Sequence, residues 1–170
     1  MVPDSSKAAP SDIRDPPVST AALREIGLFG ALGDAAVELL ARTLTTSRAT
    51  PGETIVLEGD GSARDMYVVL DGEFEVTKSG RLGKDKRIAI LGPGDWFGEM
   101  SLIDMQPRSA TVRALAPSRL LRMTSEHLDS LYRLDCKSYA LIVLNMARDL
   151  SRRLRVTDAI LADGLEHRTV

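Results

Sequence analysis

Glycine-bearing turns recur at short intervals through the middle of this chain, and they leave room for little except short strands. The turns are Pro51-Gly52, Gly59-Asp60-Gly61, Asp71-Gly72, Ser79-Gly80 and Gly92-Pro93-Gly94. Between and after them lie apolar or alternating segments at Thr54–Leu57, Met66–Leu70, Glu73–Thr77, Arg87–Leu91, Ala110–Ala114 and Arg119–Met123. Many short strands joined by glycine turns predict a small barrel or jelly roll over residues 45–123.

Helical patterns flank this core. Ser19-Thr20 offer N-caps for a helix near residues 20–27. A second helix follows Gly33-Asp34, with Ala36, Val37, Leu39, Leu40 and Leu44 at helical spacing. After the strands, Ser125 is placed to cap a helix through Tyr132, with Glu126 and Asp129 near its positive end. A longer helix is predicted from about Lys137 to Ala162. Its Val143, Ala147, Leu150, Leu154 and Leu161 form a heptad-like seam, with Thr157 as its polar member. The Pro-, Ser-, Asp- and Ala-rich residues 1–18 read as a disordered tail, and 164–170 as a second tail. The folded domain is then 19–163, with its last two helices inside 125–163.

Composition narrows the function. A chain of 170 residues with 44% hydrophobic and 27% charged residues suits one globular domain. A net charge of −2 gives no global pull toward nucleic acid or an anionic membrane. Arg148, Arg152, Arg153 and Arg155 form a basic run, read as a solvated, salt-bridged helix face. No aromatic platform or helix–turn–helix accompanies it, so no nucleic-acid partner is expected. No segment approaches membrane-spanning length. Cys136 is the single cysteine, so a reducing cytoplasm is the expected home. His127 and His167 are far apart, and no metal cluster is expected. With no base–nucleophile set or metal site to activate water, no enzyme is expected.

The chemistry concentrates in Phe97-Gly98-Glu99-Met100-Ser101 and Pro107-Arg108-Ser109-Ala110-Thr111-Val112. The first stretch reads as the opening turn of a short helix, whose free N–H groups favour an anion. Gly98 lets the backbone come close to a ligand. In the second, Ala110, Val112 and Ala114 alternate with Thr111 and Arg113, as on a half-buried strand. That alternation turns Arg108 to the core side, where a guanidinium needs an anionic partner and fits a phosphate with its planar fork.

This run closely resembles the phosphate-binding cassette of cyclic nucleotide-binding domains. Leu57-Glu58-Gly59-Asp60 and Leu70-Asp71-Gly72-Glu73-Phe74 resemble the same family, and the likeness extends over roughly residues 20–162. The resemblance implies a mainly β fold with flanking helices. It is an eight-stranded β-roll (a jelly-roll barrel) with N-terminal helices, a short cassette helix, and B and C helices at the end. It implies a regulatory ligand, cAMP or cGMP. The cyclic phosphate would fall to Arg108, Ser109, Ser101 and Met100, and the ribose to Gly98 and Glu99. Glu99 would accept from the 2′-hydroxyl, and Glu99 and Arg108 would neutralise each other. Phe97, Ala110 and Thr111 would line the pocket.

The C-helix would close over the base in one of two registers. One places Arg153 opposite the base. The other places Thr157 and Asp158 there, and Thr157 is preferred because it lies on the apolar seam. Ser109 after the arginine, with Asp158, favours cAMP over cGMP. The implied protein is a sensor that homodimerises through the C-helix and signals to an unidentified effector protein. The alternative is a regulatory fragment of an activator-type transcription factor or of a larger cyclic nucleotide-regulated protein.

Overall fold

The computed structural model describes residues 18–80 and 84–166, with backbone only for 163–166. Residues 1–17, 81–83 and 167–170, which hold most of both expected tails, lie outside the described residues.

The described residues open with α1 (Thr20–Glu25), whose N-cap Ser19 accepts from the Ala22 N–H at 3.1 Å. This helix is shorter than the sequence suggests, and Val18, assigned to the tail, packs on the core instead. α2 (Asp34–Thr43) follows and buries Ala36, Val37 and Leu40. Eight strands come next: β1 (Thr45–Ala49), β2 (Thr54–Val56), β3 (Met66–Asp71), β4 (Phe74–Ser79), β5 (Asp85–Leu91), β6 (Trp96–Phe97), β7 (Thr111–Ala114) and β8 (Ser118–Met123). α3 (Glu99–Asp104) interrupts them between β6 and β7.

The strands form two antiparallel four-stranded sheets, in the orders β1-β8-β3-β6 and β2-β7-β4-β5. The architecture is an eight-stranded β-roll with flanking helices, as expected. β1 and β6 were not among the six strand segments read from the sequence.

Two cores follow from the strict alternation of a strand. On β3, Tyr67 and Val69 face the inside of the roll with Phe74, Phe97, Val112 and Leu120. Met66 and Val68 face outward, where Leu121 and Met123 of β8 join Leu23, Phe29 and Leu40 of the N-terminal segment. Both faces of this sheet are therefore covered, and Met66, Tyr67, Val68 and Val69 are all buried. Cutting a fully buried leucine such as Leu121 back to alanine costs about 2–5 kcal/mol in such a setting. The β3–β4 turn needs glycine. Gly72 has φ +89°, and a Cβ there would lie 2.0 Å from the Ser118 Oγ.

The described residues end in α4 (Ser125–Leu134) and α5 (Cys136–Glu166). The cap of α4 is Thr124, one residue earlier than predicted. Its N–H donates to His127 Nδ1 at 3.0 Å, while the other ring nitrogen sits 3.1 Å from the Thr43 carbonyl. α5 starts at Cys136 and continues through Gly164, past the predicted stop at 162 and the boundary of the second tail. A single glycine inside a long helix costs only about 1 kcal/mol, too little to end it. Ile142 and Met146 anchor its first half in the outer core.

Candidate functional site

β6 runs directly into α3 through Gly98, which caps the helix with φ +85°. Glycine is required there by the protein itself. An added Cβ would lie 2.7 Å from the Asp65 carbonyl oxygen and 2.8 Å from Arg108 Nη1. The turn therefore packs tightly against the start of β3, with which β6 pairs, and against the Arg108 guanidinium.

Arg108 lies between α3 and β7 and is 5% exposed. Its backbone is clasped from both sides by the β2–β3 loop. The Arg108 N–H donates to the Asp60 carbonyl and the Gly59 N–H donates to the Arg108 carbonyl, each at 2.9 Å. Its guanidinium Nη1 donates to the Gly98 carbonyl at 3.1 Å, and among the described residues it has no ion-pair partner. Burial pulls its proton affinity down, against the pull of Tyr67, Asp65, Asp60 and Glu99. A buried cation with one neutral acceptor is under-compensated, and an anion in the adjoining cleft would correct that.

Glu99 is 2% exposed at the start of α3. Burial raises its carboxyl, and the nearby Arg153 is the strongest opposing influence. Arg153 reaches over from α5, with Nη1 3.6 Å from Glu99 Oε1. Its Nη2 donates to the Trp96 carbonyl at 2.9 Å and sits 2.8 Å from Asp149 Oδ2. Direct neutralisation of Glu99 by Arg108 is therefore not what the structure shows. Arg153 holds the carboxylate, and Arg108 ranks as a minor influence on it.

These groups surround a cleft of about 420 Å³, counting its open mouth. Phe97, Gly98, Glu99, Met100 and Ser101 line it from β6 and α3. Arg108, Ser109 and Ala110 line it from the stretch before β7, and Arg153 lines it from α5. Phe97 is held by Tyr67 and Phe74, with ring centroids at 5.4 and 5.7 Å. Ser101 is buried, and the Ser109 hydroxyl sits 3.5 Å from the Met100 sulfur.

Three expected residues stay out of the cleft. The Thr111 hydroxyl accepts from the Glu58 N–H at 3.0 Å and braces the β2–β7 junction instead. Thr157 donates back to the Arg153 carbonyl of its own helix, and Asp158 is exposed. Arg153, the less favoured of the two registers, is the α5 residue at the pocket. Val56, Val76 and Val112 supply an apolar floor that the sequence reading missed. Their only signal was inward alternation on β2, β4 and β7.

The comparisons agree with this geometry. A cyclic AMP receptor protein of Thermus thermophilus is 34% identical over 132 residues, covering 77% of this chain and 58% of that protein. A cAMP-dependent protein kinase regulatory subunit of Yarrowia lipolytica is 39% identical over 92 residues, covering 54% of this chain and 24% of that protein. The chain thus spans well under two thirds of these relatives. A crystal structure of a cyclic nucleotide-binding domain from Methylobacillus flagellatus superposes with a TM-score of 0.74 at 28% identity, covering 85% of this chain and 81% of that one. The sequence profile of the cyclic nucleotide-binding domain matches residues 46–135, more than half of the chain. With a β-roll, a glycine-capped cassette helix and a buried arginine at its cleft, this chain belongs to the cyclic nucleotide-binding domain family.

Proposed function

We propose that the chain is a cyclic nucleotide sensor, with cAMP as its ligand and cGMP as the weaker competitor. The observation that carries this is Arg108, a buried guanidinium facing a cleft with a single neutral acceptor among the described residues. The cyclic phosphate takes Arg108 and the Ser109 hydroxyl, beside the N–H groups that open α3. The ribose 2′-hydroxyl donates to Glu99, and the base rests near Arg153. The relatives named for cAMP support the choice of nucleotide.

Signalling passes through Arg153. Glu99 is the atom group that both the ribose and α5 use, so occupancy and the seating of α5 are coupled. Ligand shifts that equilibrium by its differential affinity for the two seatings. Leu154, Val156, Ile160 and Leu161 are exposed along α5, and a second copy of this helix is the partner that would cover them. An effector protein then reads the change. The chain acts by binding rather than catalysis, in the cytoplasm; no described helix is long and apolar enough to cross a membrane. A second reading, a regulatory part of an activator-type regulator, rests on the likeness to the Thermus protein. Sequence-specific retention of this chain by duplex DNA at physiological salt would favour it.

Titration calorimetry with cAMP and cGMP tests the proposal. Saturable binding of cAMP, with cGMP weaker, is expected. No binding of either nucleotide overturns the sensor reading, and equal or tighter cGMP binding overturns the preference.

A further inference from the structure

Lys78 lies on β4, outside the cleft, yet its amino group is tied to the cassette. Its Nζ donates to the Ser109 carbonyl at 2.6 Å and to Glu58 Oε1 at 3.0 Å. The other Glu58 oxygen accepts from the Ser79 N–H at 2.9 Å, and the Glu58 N–H donates to Thr111. These contacts hold the Glu58 carboxyl below its ordinary range, the Ser79 N–H first and Lys78 next. One lysine and one carboxylate thus brace three segments: the β2–β3 loop, β4, and the stretch that follows Arg108.

The brace has a directional consequence. In a trans peptide the C=O and the next N–H point to opposite sides. Lys78 fixes the Ser109 carbonyl on the β4 side, so the Ala110 N–H is turned away from β4. Thr111 pairs with Thr77 at the start of the β7–β4 ladder, and Ala110 precedes it. Among the described residues the Ala110 N–H donates to no acceptor, and Ala110 lines the cleft beside Arg108 and Ser109. A backbone donor left open at the mouth of an anion site, with its carbonyl partner pinned by a cation, is a preorganised arrangement.

We infer that Lys78 is a positioning residue of the anion site, fixing the Ser109 peptide so that the Ala110 N–H is aimed at an exocyclic oxygen of the bound phosphate. This rests on the sensor reading above and adds to it a second-layer cation, a backbone donor and a residue on β4. Lys78 does not touch the ligand.

The test compares wild type, Lys78→Met and Lys78→Arg by calorimetry. The probes are cAMP, its two phosphorothioate diastereomers and 2′-deoxy-cAMP, with thermal midpoints as a check on folding. Methionine keeps the stem and removes the donor. Lys78→Met is expected to weaken cAMP by about tenfold, with arginine restoring most of that. The loss should shrink with the diastereomer whose sulfur replaces the oxygen facing Ala110, because sulfur is the poorer acceptor and the two changes remove one interaction. It should persist in full with 2′-deoxy-cAMP, which is altered at the ribose. Unchanged affinity, or one common loss factor for every ligand, overturns the inference and leaves Lys78 as general scaffolding. If Lys78→Met fails to fold, Glu58→Gln loosens the same brace and must show the same diastereomer dependence at about threefold, or the inference falls. Failure of wild type to bind any of these probes overturns the sensor reading and this inference together, whereas binding by wild type with no effect of Lys78 overturns this inference alone.

Discussion

In the proposed sensor Arg108 is the residue on which recognition turns, and its burial separates two effects that usually travel together. Desolvation works against its charge. Arg108→Met should therefore keep the fold, with a thermal midpoint equal to or above wild type, while losing cyclic nucleotide binding. A charge-assisted contact is worth about 1.5–3 kcal/mol, so at least a tenfold loss in calorimetry is expected. Retained wild-type affinity would falsify the role. Glu99 gives a pH signature. Its raised carboxyl keeps its proton to higher pH in the folded than in the unfolded chain. The stability this group contributes is full below the unfolded value and is lost as pH rises through the folded one. Denaturant unfolding should show Glu99→Gln gaining on wild type as pH rises from the ordinary carboxylate range through the raised value of the folded chain. A gap that narrows toward neutral pH would mean that Arg153 outweighs burial. Arg108, Ser109 and Glu99 were legible in the sequence because a short ordered motif fixes them relative to one another. The partner of Glu99 was not, since Arg153 arrives from a separate helix more than fifty residues later.

Elements differ in how plainly they announce themselves. β3 is a run of apolar residues and was easy to read. β1 (Thr45–Ala49) hides its two buried faces behind Thr46 and Ser47, whose hydroxyls are buried without a hydrogen-bond partner, so no apolar alternation appears. β6 is two residues long, below what any periodicity can show. α5 was visible as a helix. The residue it lowers into the cleft depends on its crossing over the roll, which the apolar seam that contains Thr157 does not encode. The contact makes a prediction for the element. Arg153 is the strongest influence lowering Glu99, so Arg153→Ala should raise that carboxyl further. An ionised carboxylate accepts from the 2′-hydroxyl more strongly than a protonated one, so nucleotide affinity should begin to fall at higher pH on acidification in the variant than in wild type. Trp96 is the sole tryptophan and its carbonyl accepts from Arg153, so its emission should change as well. Superimposable pH profiles would detach α5 from the site.

For the whole molecule, the helices and roll share one outer core, while the far half of α5 leaves it. From Ser151 to Ala162 every residue is exposed, including Leu154 at 60% and Ile160 at 68%. A second copy of α5 along that stretch predicts a dimer in sedimentation, and Leu154→Glu should give monomers by placing charges on the shared face. A monomeric wild type at about 10 µM, an order-of-magnitude choice for weak self-association, would reject the pairing. The bare stretch has one more consequence. A helical segment of about twelve residues is marginal in water without a packing partner, so this one should open often when the chain is alone. It carries Arg152, Arg153 and Arg155, each a trypsin cleavage point. Limited digestion then becomes a stopwatch for assembly. The chain should be clipped quickly between Ser151 and Val156 when dilute, and more slowly as concentration or nucleotide seats the helix.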